Sequence, residues 1–164
     1  MEKTRIQNII ADDYKNQFER EQISNYFSSS LAGKKTQDEV LWDVAGNLIG
    51  KMNYVDCIIY LWNKDKTKMV QKAAFGPKGK PEVISSNVFE VAPGQGVVAH
   101  VMQTRLPILI NDTRTDSRYR VDDEFRLSEI SVPIIHNDEL MGVIDSEHQQ
   151  QNYFSERDIK ILTT

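Results

Sequence analysis

The first thirty residues repeat hydrophobic and polar positions at the spacing of an α-helix. No proline or glycine interrupts residues 2–27, and the apolar positions lie among many charged ones. These apolar positions are Ile6, Ile9, Ile10, Tyr14 and Phe18. The stripe is narrow, which suits a helix that pairs with a second copy or a neighbouring domain, although a helix packed on its own domain remains open. We therefore predict a linker or dimerisation helix over residues 1–30.

The remaining pattern predicts short helices mixed with strands. Thr36 and Glu39 have the spacing of a capping box, and the apolar residues that follow predict a helix from about Gln37 to Lys51. Apolar runs bounded by turn residues predict strands over residues 54–62, 69–75, 87–91, 107–110, 128–135 and 139–147. Shorter helices are predicted for residues 97–103 and after Ser155.

Residues 111–127 are strongly polar and interrupt this succession of strands. A long polar connection of this kind commonly covers a binding site, so we expect it to form a lid. The last predicted helix has barely begun at Thr164. We therefore expect the chain to be part of a longer protein whose output domain follows.

Composition excludes several classes of function. The chain has 164 residues, of which 40% are hydrophobic, enough for one domain with a core. Its formal net charge of -4 does not favour nucleic acid. No apolar run approaches the roughly 20 residues of a membrane span, and no signal peptide is evident, so we expect a cytoplasmic protein. The single cysteine, Cys57, excludes an internal disulfide and a cysteine metal cage.

Several motifs occur in an order that resembles the GAF domain family. They are Gly94 and Gly96 in a turn, then residues 107–112, 128–134, 139–147 and 154–158. The resemblance implies an α+β fold over residues 31–164: a six-stranded antiparallel sheet with helices on both faces. It also implies a regulatory domain that senses a small molecule, of the kind found in bacterial two-component sensor histidine kinases. We expect a homodimer through the N-terminal and C-terminal helices, and a dimerisation scaffold without a ligand is the alternative.

One enzyme group within this family reduces free methionine sulfoxide with two cysteines, one attacking and one resolving. Val98 and Asp122 stand where those cysteines would lie, and Cys57 belongs to a different strand. We therefore predict no catalytic residues, and reductase chemistry that lacks the expected cysteines is kept as an alternative. Whether Cys57 has a redox role of its own stays open.

Acidic residues are the candidate ligand contacts. The resemblance places Glu129, Asp145 and Glu147 where the reductases hold the ammonium end of their substrate. Asp145 and Glu147 lie two apart on a strand and so share a face, which is either a pocket wall or a solvated strand end. Crowded carboxylates would favour a cationic ligand. Tyr119 of the predicted lid is the fourth candidate contact.

Other ligand classes find little support. Ser146 and Glu147 replace the asparagine-lysine pair of cyclic-nucleotide-binding GAF domains, so Phe154 and Asp158 are interpreted as core packing and helix-start charge. The three histidines lie far apart in sequence, and we predict no metal and no cofactor. The lid arginines alternate with aspartates, so we expect pairing among themselves at the surface. These arginines are Arg105, Arg114, Arg118, Arg120 and Arg126.

Overall fold

Four α-helices, two short 3-10 helices and six strands occur in the part of the chain that the structure describes. In this computed structural model the described residues are 2–31, 33, 36–78, 89–94 and 96–163. The helices are α1 (Glu2–Leu31), α2 (Gln37–Met52), α3 (Val97–Thr104) and α4 (Glu156–Leu162). The strands are β1 (Cys57–Trp62), β2 (Met69–Phe75), β3 (Glu90–Val91), β4 (Ile108–Ile110), β5 (Ser128–His136) and β6 (Glu139–His148).

The strands form one antiparallel sheet in the order β3-β2-β1-β6-β5-β4. The predicted six-stranded antiparallel sheet is therefore confirmed. The β5-β6 hairpin turns at Asn137 and Asp138, whose φ values of 49° and 62° lie in the left-handed region. Asparagine and aspartate tolerate that region better than other side chains, which explains the turn at this point.

The side chains of β1 point alternately to the two faces of the sheet and contribute to a separate core cluster on each face. Cys57 and Ile59 pack with Leu41 of α2, whereas Ile58 packs with Val101 of α3. Successive strand side chains point to opposite faces, so one strand contributes to both layers. This places α2 on one face and α3 on the other, as predicted.

Two strand boundaries differ from the prediction. β1 begins at Cys57 rather than at residue 54, because the Tyr54 hydroxyl donates a hydrogen bond to Asp158 of α4 at 2.9 Å. That aspartate also forms the capping box of α4 with Ser155. β3 has only two residues, Glu90 and Val91, and residues 87 and 88 of the predicted strand lie outside the described residues.

The apolar stripe of α1 faces solvent along much of its length. Tyr14 and Phe18 are 71% and 61% exposed, and Ile6 and Ile10 are exposed as well. Near the end of the helix, Ser30 donates a hydrogen bond to Asp43 of α2. None of the described helices combines the length and the apolar character that a membrane crossing requires.

Gly142 on β6 allows the close approach of β1, and we expect Gly142→Ala to destabilise the domain by about 1–3 kcal/mol or more. A Cβ there would lie 2.2 Å from the Tyr60 carbonyl oxygen, which belongs to the backbone and has little room to move. The matched control is Gly46→Ala in α2, where a Cβ meets nothing within 4 Å. This substitution should raise the free energy of unfolding by about 0.5–1 kcal/mol, because alanine favours the helix more than glycine does. Urea unfolding of both variants measures the difference, and equal stabilities would contradict the account.

Candidate functional site

A cavity of about 200 Å³ lies between α3, the lid and the pocket-side face of the sheet. Its lining combines apolar and acidic residues. The apolar wall consists of Tyr60, Phe89, Val91, Val97 and Val98. The polar lining consists of Glu90, Arg120, Asp122, Glu129, Asp145 and Glu147, with Gly96 at the start of α3.

The hairpin register brings the three predicted carboxylates together. Glu129 of β5 pairs with Glu147 of β6, and Asp145 lies two residues further along the same face. Their exposed fractions are 5%, 3% and 6%, respectively. The solvated strand end considered from sequence is therefore wrong for Asp145 and Glu147, since both lie inside the cavity wall.

The surroundings of Glu129 strongly disfavour its ionised form. Burial raises its pKa well above 4.5, and the neighbouring Asp145 and Glu147 raise the pKa further. The Oε2 atom of Glu129 is buried and has no hydrogen-bond partner among the described residues. A buried acceptor left without a donor costs free energy, which a ligand donor would recover.

A buried aspartate and a buried arginine support this acidic wall from behind. The backbone N-H of Glu147 donates to Asp56 Oδ1 at 2.7 Å, and the Arg126 guanidinium lies 3.8 Å from Asp56 Oδ2. Arg126 is fully buried. The expectation that this arginine pairs at the surface is therefore wrong, because it is enclosed among carboxylates. Burial alone would lower the pKa of Arg126, but the nearby carboxylates outweigh this effect, so the pKa is raised.

Sequence reasoning missed Asp56, although one signal was present. Asp56 directly precedes the apolar run of β1, and a charged residue at the edge of a buried strand needs a partner of opposite charge. For Arg126 the local signal does not discriminate: it lies between Phe125 and Leu127, but the exposed Arg120 also lies between apolar residues.

The lid is tied to this wall through Tyr119. The Tyr119 hydroxyl accepts a hydrogen bond from the backbone N-H of Arg126 at 2.9 Å, and burial followed by the charge of Glu147 raises the pKa of Tyr119. Its ring packs edge-on against Phe125. Tyr119 does not contribute to the described lining of the cavity, so the structure places this predicted contact beside the acidic wall rather than on it.

Two further lid arginines pair as the sequence predicts. Arg114 contacts Asp112 at 2.8 Å, and Arg118 contacts Asp116 at 2.5 Å. The Arg114 hydrogen bond lowers the pKa of Asp112 to about 2. These exposed or half-exposed pairs hold Arg114 and Arg118 against neighbouring aspartates of the lid.

Cys57 lies on the other side of the sheet from the cavity. It packs with Ile59 against α2 and is buried. Burial, with the charges of Asp56 and Asp145, raises the pKa of its thiol, so the reactive thiolate is disfavoured. Val98 and Asp122, which the resemblance places at the reductase cysteine positions, both line the cavity.

Three carboxylates have the spacing of possible metal ligands. Oxygens of Asp122, Asp123 and Glu147 lie within 4.8 Å of one another. Two of these residues are exposed, and exposed acidic groups often lie this close without binding an ion. The spacing alone does not define a metal site.

The fold and this cavity define a class of sensory domain built on an antiparallel sheet. A family model described as GAF domain matches residues 34–164. The chain belongs to the GAF domain family, a family of regulatory and sensory domains.

The chain is also similar to known proteins and to solved structures. The chain is 31% identical over 109 residues to nitrogen fixation protein VnfA of Azotobacter vinelandii; the match covers 62% of the chain but spans only 20% of that relative. The GAF domain of a phosphoenolpyruvate-protein phosphotransferase from Coxiella burnetii superposes with a TM-score of 0.79 at 16% identity, covering 89% and 87% of the two chains. Free methionine-R-sulfoxide reductase from Neisseria meningitidis gives 0.76 at 20% identity, covering 90% and 83%. These structural similarities show the fold.

Proposed function

We propose that this domain is the small-molecule-sensing part of a signal transduction protein and that its ligand binds in the carboxylate-lined cavity. The buried, unpartnered Oε2 atom of Glu129 carries this proposal, since it points to a missing donor in a cavity with room for one. Asp145 and Glu147 extend the same acidic surface.

The lid offers a route from the cavity to the rest of the domain. Arg120 and Asp122 line the cavity, while Arg126 of the same segment lies against the buried Asp56 behind it. A ligand that contacts one arrangement of this segment more favourably than another would shift the balance between them. We propose that the shift regulates an output module and that this module is a histidine kinase, the arrangement that the resemblance to two-component sensor domains implies.

Thermal melting with a library of metabolites tests the ligand proposal. We expect at least one compound to raise the Tm of the wild-type domain at millimolar concentration, because a ligand that binds only the native state stabilises it. Asp145→Asn should lose most of this rise, while Glu139→Gln at the exposed end of β6 should keep it. No rise with any compound would favour the alternative, a dimerisation scaffold without a ligand.

We also propose that the exposed stripe of α1 is the seam of a homodimer. Tyr14 and Phe18 lie one helical turn apart with their rings in solvent, and a second copy would bury them. Phe18→Glu should shift the chain towards monomer in light scattering, while Lys15→Glu on the same helix should not. Equal masses of the Phe18→Glu and Lys15→Glu variants in solution would contradict a dimer formed through this stripe.

A further inference from the structure

A second cavity, of about 150 Å³, lies between α3 and the lid. The helix contributes His100 and Gln103 to its lining, and the lid contributes Ser117, Arg118 and Arg120. Two glycines of the turn before α3 complete the described lining. We call this space the basic cavity, because two arginines and a histidine line it.

The basic cavity differs in charge from the carboxylate-lined cavity beside it. Gly96 and Arg120 are the lining residues that the two spaces share, and no acidic residue is among the described lining of the basic cavity. A guanidinium group presents N-H donors in a fork that matches the oxygens of a carboxylate or a phosphate. The basic cavity therefore favours an anion.

Arg120 supplies a positive charge to this space without a carboxylate to balance it. Its Nη1 atom donates to the backbone oxygens of Ser117 and Tyr119 at 2.9 and 2.8 Å, which holds the guanidinium group against the lid. Within the described ranges Arg120 forms no ion pair, so the aspartate pairing predicted from the sequence is absent for this arginine. Its Nε and Nη2 donors are left for another acceptor.

The other donors of the basic cavity are also incompletely used. Asp116 accepts hydrogen bonds from Nε and Nη2 of Arg118 at 2.9 and 2.5 Å, which fixes this guanidinium group and leaves its third nitrogen over. The side chains of His100 and Gln103 bond to no other residue in the part of the chain that the structure describes. Donors from α3 and from the lid thus border one space that supplies few acceptors.

From this arrangement we infer that the basic cavity is a second binding site, for an ion or small molecule that carries a phosphate or carboxylate group. Its volume is about ten times the roughly 10–15 Å³ that one water molecule needs, which leaves room for such a group. The oxygens of the anion accept hydrogen bonds from the lid arginines and from the polar side chains of α3. This inference goes beyond the proposed function, since it requires no ligand among the carboxylates.

An anion in the basic cavity connects the lid to α3. The donors on its two sides belong to segments that are more than ten residues apart in sequence. An anion that binds one arrangement of these segments more tightly than others favours that arrangement. Because Arg120 also lines the carboxylate-lined cavity, the same event fixes part of the wall of that cavity.

NMR titration of the wild-type domain with sodium phosphate and with sodium acetate tests this site, with sodium chloride at equal ionic strength as the control. We expect saturable amide shifts at His100, at Gln103 and at residues 117–120, with a Kd of about 1 mM. Saturation by one salt alone assigns the phosphate or the carboxylate class, and either result supports the site. Shifts no larger than those with chloride would overturn it, and shifts confined to one segment would overturn the connection between lid and helix.

Arg120→Gln should weaken binding of the saturating anion about tenfold or more, because it removes a charged hydrogen-bond donor. Arg105→Gln is the matched control and should change the affinity by no more than about twofold. Arg105 is also exposed and donates to a backbone oxygen, that of Asp138 at 3.1 Å, but it does not line the basic cavity. Equal affinities of the two variants would overturn the role of Arg120.

Gln103 allows a charge test that leaves both arginines in place. It is exposed on α3, so substitutions there should leave the fold intact. Gln103→Glu should weaken anion binding several-fold and Gln103→Lys should strengthen it, and equal affinities of these variants would place the anion elsewhere. Gln103 does not line the carboxylate-lined cavity, so the melting test with metabolites is independent. A metabolite that raises the Tm while no anion binds would remove this inference and leave the proposed function standing.

Discussion

Arg126→Ala is expected to lower the free energy of unfolding by about 3–5 kcal/mol, the cost of removing one partner from a buried charge cluster. The guanidinium group lies among Asp56, Asp123 and Glu124, at 3.8, 3.5 and 2.9 Å. Without it, the buried charge of Asp56 loses this opposite charge. Chemical denaturation measures the loss.

The matched control for this variant is Arg114→Ala. Arg114 also pairs with an aspartate of the lid, but its side chain is 55% exposed, so we expect a change within about 1 kcal/mol. A double variant, Asp56→Asn with Arg126→Met, removes both charges and should recover part of the loss. Equal effects of the two alanine variants would show that the burial of Arg126 does not govern its contribution.

The wild-type domain is expected to lose stability as the pH rises above about 4.5, the ordinary pKa of a glutamate. Glu129→Gln should remove this loss. The native pKa of Glu129 is raised, so between the unfolded and the folded pKa values the native chain holds a proton that the unfolded chain has lost. Stability therefore decreases with rising pH across this window, by about 1.4 kcal/mol per pH unit for one proton, and levels off above the folded pKa. The glutamine variant should be more stable than wild type at neutral pH.

Unfolding curves from pH 4 to pH 8, compared between wild type and variant, measure this effect. His148 acts in the opposite direction, because burial and the nearby Arg126 lower its pKa and make stability fall as pH drops below its ordinary range. This contribution is common to both proteins and cancels in the difference. Glu139→Gln serves as the control for loss of an exposed carboxylate. Parallel pH profiles of wild type and Glu129→Gln would contradict the raised pKa.

The sheet and most of its helices follow from local pattern. Alternation and turn residues define the β5-β6 hairpin, and the capping box of Thr36 and Glu39 places the start of α2. Both signals depend on residues close in sequence. The early start predicted for β1 failed because Tyr54 is held by Asp158, more than a hundred residues away, and no local pattern shows such a partner.

The acidic residues of the site could be predicted from the sequence, but the buried charges that support them, Asp56 and Arg126, could not. Asp145 and Glu147 share a face by strand geometry, but whether that face is buried depends on how α3 and the lid cover it. Arg126 resembles its exposed neighbours in sequence, and only the tertiary contact with Asp56 separates it from them. Burial of charge is a property of packing between distant segments.

Mapping backbone amide chemical shifts during titration with a Tm-raising compound asks directly where a ligand binds. The account predicts saturable changes at Glu129, Asp145 and Glu147 and at the start of α3, all of which border the cavity. The same titration of Asp145→Asn should give far smaller changes. Shifts confined to α1 or to the α2 side of the sheet would contradict a ligand site among the carboxylates.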